Sequence, residues 1–325
     1  MGAHRNSRDF TAVLALLAFV CGLRASDKPP RTFELVAQSP KFWELFDGDA
    51  KMTTMATGFG FTEGPVWNPS GFLYVSDEEQ NKIYRVYPDG RKETLIELGD
   101  PDGNTFDRQQ RLLDCASVLH AIIRVDPGGR YTTLVDSYQG KRLNSPNDVV
   151  SGPDGAIYFT DPTLDLPKGE RQEIPFQGVY RLDSRGALRV LVKDISQPNG
   201  LAFSPDGKRL YVDDSEQKNI RVFDFKRGGK VSNERVFGEE KEPGGVPDGM
   251  RVDQTGNLYV TGPKGIWVWD PQGNHLGTIV VPEQPANLAW GDADYGTLYL
   301  TAGKSVYRIR TKIRGFMPNL EKTNG

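Results

Sequence analysis

The sequence predicts an all-β protein, a six-bladed β-propeller of four-stranded antiparallel blades. Three observations carry that expectation. One pattern recurs six times. Its copies stand 38 to 52 residues apart, a period that suits propeller blades and exceeds that of solenoid coils built from one strand and one helix. No long amphipathic helical stretch interrupts the series, which argues against an α/β fold.

The copies begin at Phe61 (FTEGPVWNPSGFLYVSD), Asp100 (DPDGNTFDRQQRLLDC), Ser145 (SPNDVVSGPDGAIYFTD), Gln197 (QPNGLAFSPDGKRLYVDD), Val246 (VPDGMRVDQTGNLYVTG) and Gln284 (QPANLAWGDADYGTLYLTA). Each sets a polar residue near Gly or Asp, then a short apolar strand, a Gly- or Asp-rich turn and a second strand. A third strand usually follows, as in Asn81 to Val86, Gly178 to Leu182, Asn219 to Phe223 and Gly265 to Trp269. Turns such as Pro-Asp-Gly and Pro-Gly-Gly close these onto a fourth strand, because Gly supplies positive φ and Pro presets its own. The last copy ends near Ile309 with only three strands. Residues Ala50 to Gly58 are therefore expected to supply its fourth, closing the ring and removing two exposed sheet edges. Tyr and Trp at alternating strand positions are expected to fill the space between blades.

Ahead of the propeller, assigned to residues 46–325, stand a leader at 1–25 and an extension at 26–45. Arg5 and Arg8 precede an apolar run from Thr11 to Leu23, followed by the small residues Ala25 and Ser26. That is the layout of a secretory signal, and the run is short for a bilayer span. The expected location is secreted or periplasmic, with no transmembrane span after signal removal. A lipid anchor at Cys21 is the weaker alternative, since Val20 is not the small residue such anchors favour. Removal of the leader leaves Cys115 as the only cysteine, so no intramolecular disulfide forms.

The 325 residues are 37% hydrophobic and 26% charged, enough to bury a full core. Forty basic against forty-three acidic side chains leave a net charge of -3. No segment concentrates Lys and Arg, so nucleic acid is not an expected partner.

In a propeller the innermost strand of each blade lines a central channel, and the residue just before that strand points toward the axis at one end. Here those residues are Glu63, Asp102, Asn147, Asn199, Asp248 and Ala286. Singly, Asn-Gly and Asp-Gly pairs are ordinary turn residues; their recurrence at one structural position is not. Carboxylates crowded at an axis repel one another and are desolvated unless a cation lies between them. The donors are all oxygen, which suits calcium with its loose geometry at roughly 2.3 to 2.6 Å. Magnesium or manganese could substitute; zinc fits less well because it recruits His or Cys, and beyond the leader the chain has only His120 and His275. His275 is expected in a solvated turn, and His120 in a loop or packing role. Lys226-Arg227 and Lys241-Glu242 are expected as exposed hairpin charges.

The stretches Glu63-Gly-Pro-Val-Trp67, Ser145-Pro-Asn-Asp-Val149, Pro198-Asn-Gly-Leu201 and Pro247-Asp-Gly-Met250 resemble the motifs of the gluconolactonase, or senescence-marker-protein (regucalcin)-like, family. The similarity runs from about Ala50 to Ile309. The resemblance implies Glu63, Asn147, Asn199 and Asp248 as metal ligands, and metal-dependent hydrolysis of a small sugar lactone to the hydroxy acid. It implies Asp248 as general base; Asp148 is a second candidate, or a structural residue. Asp102, Asn147 and Asp148 are the candidate substrate-binding residues. Many relatives carry Asn-Gly where this chain has Asp102-Gly103, and Cys-Glu-His where it has Cys115-Ala116-Ser117. The preferred lactone is therefore expected to differ. Two other classes of function share the scaffold: a related propeller esterase, phosphotriesterase or lyase, and a non-catalytic secreted binding propeller braced by its ion. A serine nucleophile is not expected, since no Gly-x-Ser-x-Gly stretch occurs.

Overall fold

Six antiparallel sheets, five of four strands and one of four extended by a fifth, form the expected six-bladed propeller, with a two-stranded ribbon, Ser137–Tyr138 with Lys141–Arg142, beside them. The computed structural model describes residues 31–318. The leader assigned to 1–25 lies outside the described residues. Blade 1 runs from Thr62 to Glu97, blade 2 from Pro101 to Val135, blade 3 from Val149 to Val192, blade 4 from Pro198 to Glu239, blade 5 from Met250 to Val280 and blade 6 from Pro285 to Arg310. No helix among the described residues is long and apolar enough to cross a membrane.

Aromatic side chains join the sheets face to face. Tyr158, Tyr180, Tyr211, Tyr259, Tyr299 and Trp290 are all fully buried. Tyr74 meets Phe106 between blades 1 and 2, Tyr158 meets Phe203 between blades 3 and 4, and Tyr259 meets Trp290 between blades 5 and 6. Trp67 stacks on Tyr299 at 5.4 Å, joining the first blade to the last. Each such ring removes a large apolar area from water and adds an aromatic pair worth about 0.5–1.5 kcal/mol.

Closure follows the sequence expectation. Met52–Thr57 lies antiparallel to Ser305–Arg310 as the fourth strand of blade 6, with Met52 opposite Ile309. The extension at 26–45 does more than lead into the ring. Glu34–Ala37 adds a fifth strand to blade 5, with Glu34 opposite Val280. A short 3-10 turn, Pro40–Glu44, starts at Ser39, whose side chain accepts from the Lys41 N–H. This turn lets Phe42, Leu45 and Phe46 drop into the core between blades 5 and 6.

One expectation fails here. His275 is not in a solvated turn but begins the fourth strand of blade 5, half-buried and stacked on Trp267 with ring centroids 4.5 Å apart. The Trp267 and Trp269 faces form a shelf that the imidazole covers, and burial lowers its pKa. Lys226, Arg227, Lys241 and Glu242 are exposed as expected, and Cys115 is a buried free thiol.

Candidate active site

Where inner strands converge, a cavity of about 310 Å³ opens at one end of the channel. Glu63, Asp102, Asn147, Asn199 and Asp248 all line it, drawn from five blades. The four residues matched as metal ligands are thus brought together. Ala286, the sixth mouth position, does not line the cavity; blade 6 contributes through the next residue, Asn287, whose amide donates to Glu63 Oε2 at 2.8 Å.

The position after each mouth residue explains how the inner strands can approach so closely. It is Gly64, Gly103, Asp148, Gly200, Gly249 and Asn287 around the ring. A Cβ on Gly64 would sit 2.0 Å from the Asp102 carbonyl oxygen, and one on Gly249 would sit 2.1 Å from Asn287 Cγ. Gly103 and Gly249 leave the space that Asp148 and Asn287 occupy, while Gly64 and Gly200 make room for the Asp102 and Asp248 carbonyls. Those two are held alike. The Asp148 N–H donates to Thr160 Oγ1 and the Asn287 N–H to Thr301 Oγ1. Each side-chain Oδ1 then accepts from the following backbone N–H at 2.8 Å.

Asp148 is only 1% exposed and does not line the cavity. Its Oδ2 faces Arg251 Nη1 at 3.7 Å. Arg251 stands at the register position held by Val66, Thr105, Val150, Ala202 and Ala289 in the other blades. Its guanidinium crosses from blade 5 toward blade 3 and lines a second cavity beneath, with Trp67, Asn104, Trp290 and Phe316. The C-terminal segment borders that cavity through Phe316, Met317 and Pro318, held where the Gln254 N–H donates to the Arg314 carbonyl and the Phe316 N–H to that of Val252.

The electrostatics at the mouth are one-sided. Burial raises the Glu63 carboxyl to about 8, with Asp148 adding to the rise while the Gly64 N–H, Asn287 and Arg251 oppose it. Burial, then Glu63, Asp165 and Asp148, push Asp248 well above its usual range; a hydrogen bond from Asn199 works the other way. Asp102 is raised by burial and then by Glu78 and Glu63. A buried set of mutually repelling carboxyls fits a cation. The donor chemistry agrees: two carboxylates and two amides, with Asn147 committing its N–H groups to Asp102 at 2.7 Å and Asp165 at 3.3 Å, which leaves its amide oxygen available to an ion. Among the described residues no three His, Cys, Asp or Glu side chains form a metal-ligating group by themselves. A site here must therefore count the two amides.

Two cavity-lining carboxyls lie outside the repeat motifs. Glu78 follows the second strand of blade 1, its backbone N–H donating to the Phe61 carbonyl. Asp165 sits in the long connection from Pro162 to Gln177 in blade 3, its N–H donating to Ser145 Oγ. Neither carries a sequence signal, since both belong to connections that vary from blade to blade. Where relatives read Cys-Glu-His, Ala116 and Ser117 are buried and Ser117 donates to the Pro146 carbonyl at 2.7 Å. His120 has a packing role, with Nδ1 against the Asn144 carbonyl and Nε2 3.2 Å from Glu170.

Comparison with known proteins finds relatives over most of the chain. Residues 61–304 match the SMP-30/gluconolactonase/LRE-like region. A gluconolactonase of Zymomonas mobilis is 33% identical over 306 residues, covering 85% of this chain and 86% of that one. A pentonolactonase of Haloferax volcanii is 30% identical, covering 74% and 80%. The structure of a gluconolactonase from Xanthomonas campestris superposes with a TM-score of 0.80 at 32% identity, covering 88% of this chain and 99% of that one. With four motifs in order, meeting around one cavity in a closed ring, the chain belongs to the SMP-30/gluconolactonase/LRE-like family.

Proposed function

We propose that this chain is a divalent-cation-dependent lactonase that opens a small sugar lactone to its hydroxy acid. The observation that carries the reading is the convergence of Glu63, Asn147, Asn199 and Asp248 on one cavity of about 310 Å³, in a chain whose relatives include a gluconolactonase and a pentonolactonase. These four residues would hold the ion, with calcium favoured by the all-oxygen donor set. Bound there, it would polarise the lactone carbonyl and offset the charge that develops on its oxygen.

The protein's own groups supply the rest. Asp248 takes a proton from the attacking water as the water oxygen bonds to the acyl carbon. The ring C–O bond then breaks, and the proton passes from Asp248 to the departing alkoxide, giving the hydroxy acid. Asn199 hydrogen-bonds Asp248 and fixes its orientation. Asn147, held by Asp102 and Asp165, keeps its amide oxygen toward the ion. Asp148, buried against Arg251, supports the mouth from beneath, which favours Asp248 over it as the base. The leader at 1–25 supports export of the enzyme.

The test is turnover of aldonolactones, and of paraoxon as a phosphotriester, by the purified protein with calcium, magnesium, manganese or chelator. Asp248→Asn should lower lactone turnover by about 100-fold or more with the fold retained. Asp148→Asn should retain more activity than Asp248→Asn. Tight calcium binding with no turnover of any ester would identify a binding propeller instead.

A further inference from the structure

The cavity wall carries five carboxyl groups, from Glu63, Asp102, Asp248, Glu78 and Asp165, and no Lys, Arg or His. Two of the five belong to the ligand set just described, and an ion there would offset those two. Asp102, Glu78 and Asp165 remain. The Glu78 side chain makes no hydrogen bond to another described residue, and Asp165 accepts only from Asn147. The geometry points to Glu78 and Asp165 as a charge filter that admits uncharged lactones and turns away those bearing a carboxylate or phosphate. This inference rests on the lactonase reading and adds to it the residues that set substrate charge.

The physical basis is the absence of a counter-charge. An anionic substituent entering this cavity meets several carboxyls and no cationic side chain. Each carboxyl that is ionised repels a further anion, and no cationic side chain on the cavity wall offsets it. Sugar hydroxyls fare differently: they can donate to these same oxygens. Leu164 and Val246, both exposed at the rim, offer apolar surface to the C–H face of a sugar ring. Selection by repulsion of the wrong ligand is a common route to specificity. Two like charges about 8 Å apart at an effective dielectric near 20 interact strongly enough for roughly thirtyfold discrimination.

The test compares D-glucono-1,4-lactone with D-glucaro-1,4-lactone, which share a ring and differ in carrying a hydroxymethyl or a carboxylate. The parent protein should favour the neutral lactone in kcat/KM by about thirtyfold beyond the ratio of their uncatalysed rates. Glu78→Gln with Asp165→Asn should cut that preference at least about tenfold, whatever happens to the absolute rates, while Glu78→Asp, which keeps the charge, should preserve it. Added salt should weaken the preference in the parent and leave the double variant unchanged. Equal preference in parent and double variant would overturn the filter and leave the lactonase reading intact. No turnover of the neutral lactone would overturn both.

Discussion

Asn287 of blade 6 donates its side-chain amide to Glu63 of blade 1 at 2.8 Å, across 224 positions of sequence. The bond joins the last inner strand to the first at the axis, and it acts on a residue proposed to hold the ion. Removing it leaves a buried carboxyl with one donor fewer. Asn287→Ala is expected to lower unfolding free energy by about 1–3 kcal/mol and to weaken calcium binding. Asn287→Asp should be worse in chelator, where it sets another carboxyl against Glu63, and should recover more on adding calcium. Denaturation with and without the ion checks both.

The propeller was legible because its signal is repeated. Gly-containing turns and second-strand aromatics recur at blade spacing, so an error in one copy does not spoil the ring. The mouth residues Glu63, Asn147, Asn199 and Asp248 were legible for the same reason. Asn287 was missed by one position, because aligning the copies set Ala286 at the mouth. Glu78 and Asp165 were beyond reach: Glu78 stands where blades 2 and 4 carry Ser117 and Ser215, Asp165 lies in a connection lengthened in blade 3, and only folding brings them to the cavity. Arg251 was equally hidden, since an isolated Arg in a strand ordinarily carries its charge to solvent.

Arg251 and Asp148 form an ion pair in the channel, with side chains 18% and 2% exposed. Breaking such a pair from one side leaves an unbalanced buried charge, at a cost of about 3–5 kcal/mol, whereas removing both partners costs much less. Arg251→Met and Asp148→Asn should each destabilise strongly, and the double variant should be more stable than the sum of their losses implies. A double-mutant cycle in urea measures the difference; simple additivity would mean that the two side chains act independently.

The raised carboxyls also fix a sign for pH. Burial pushes the Glu63 and Asp161 carboxyls up to about 8. The folded state therefore holds protons that the unfolded state releases near its ordinary carboxyl range. The stabilisation from those protons is present at low pH and is lost as pH rises from about 4.5 through about 8. In chelator, the contribution of these groups should make the protein less stable along that path. Calcium, competing with protons at Glu63, should flatten the decline and be bound with proton release, measurable by calorimetry in buffers of different ionisation enthalpy.

Close strand approach gives a steric prediction. Gly249→Ala would place a methyl 2.1 Å from Asn287 Cγ, whereas at Gly48 nothing lies within 4 Å of the same methyl. The first substitution should cost about 1–3 kcal/mol or more and weaken calcium binding by displacing the side chain that supports Glu63. The second should leave both within error. Thermal melts with and without calcium distinguish a local effect on the mouth from a general loss of fold.

The N-terminal extension gives the last prediction, because the structure assigns it a role that its sequence does not advertise. Phe42 is fully buried, and its ring lies 5.1 Å from that of Phe46. Its neighbour Gly277 has no side chain: a Cβ there would lie 2.7 Å from Phe42 Cδ2. The phenyl ring thus fills a space that blade 5 leaves open, beneath the added strand Glu34–Ala37. Phe42→Ala should cost about 3–5 kcal/mol, while Trp43→Ala, at a residue 40% exposed, should cost far less. Because this cluster lies between blades 5 and 6 and not at the mouth, calcium should raise the melting temperature of Phe42→Ala by about as much as it raises that of the parent.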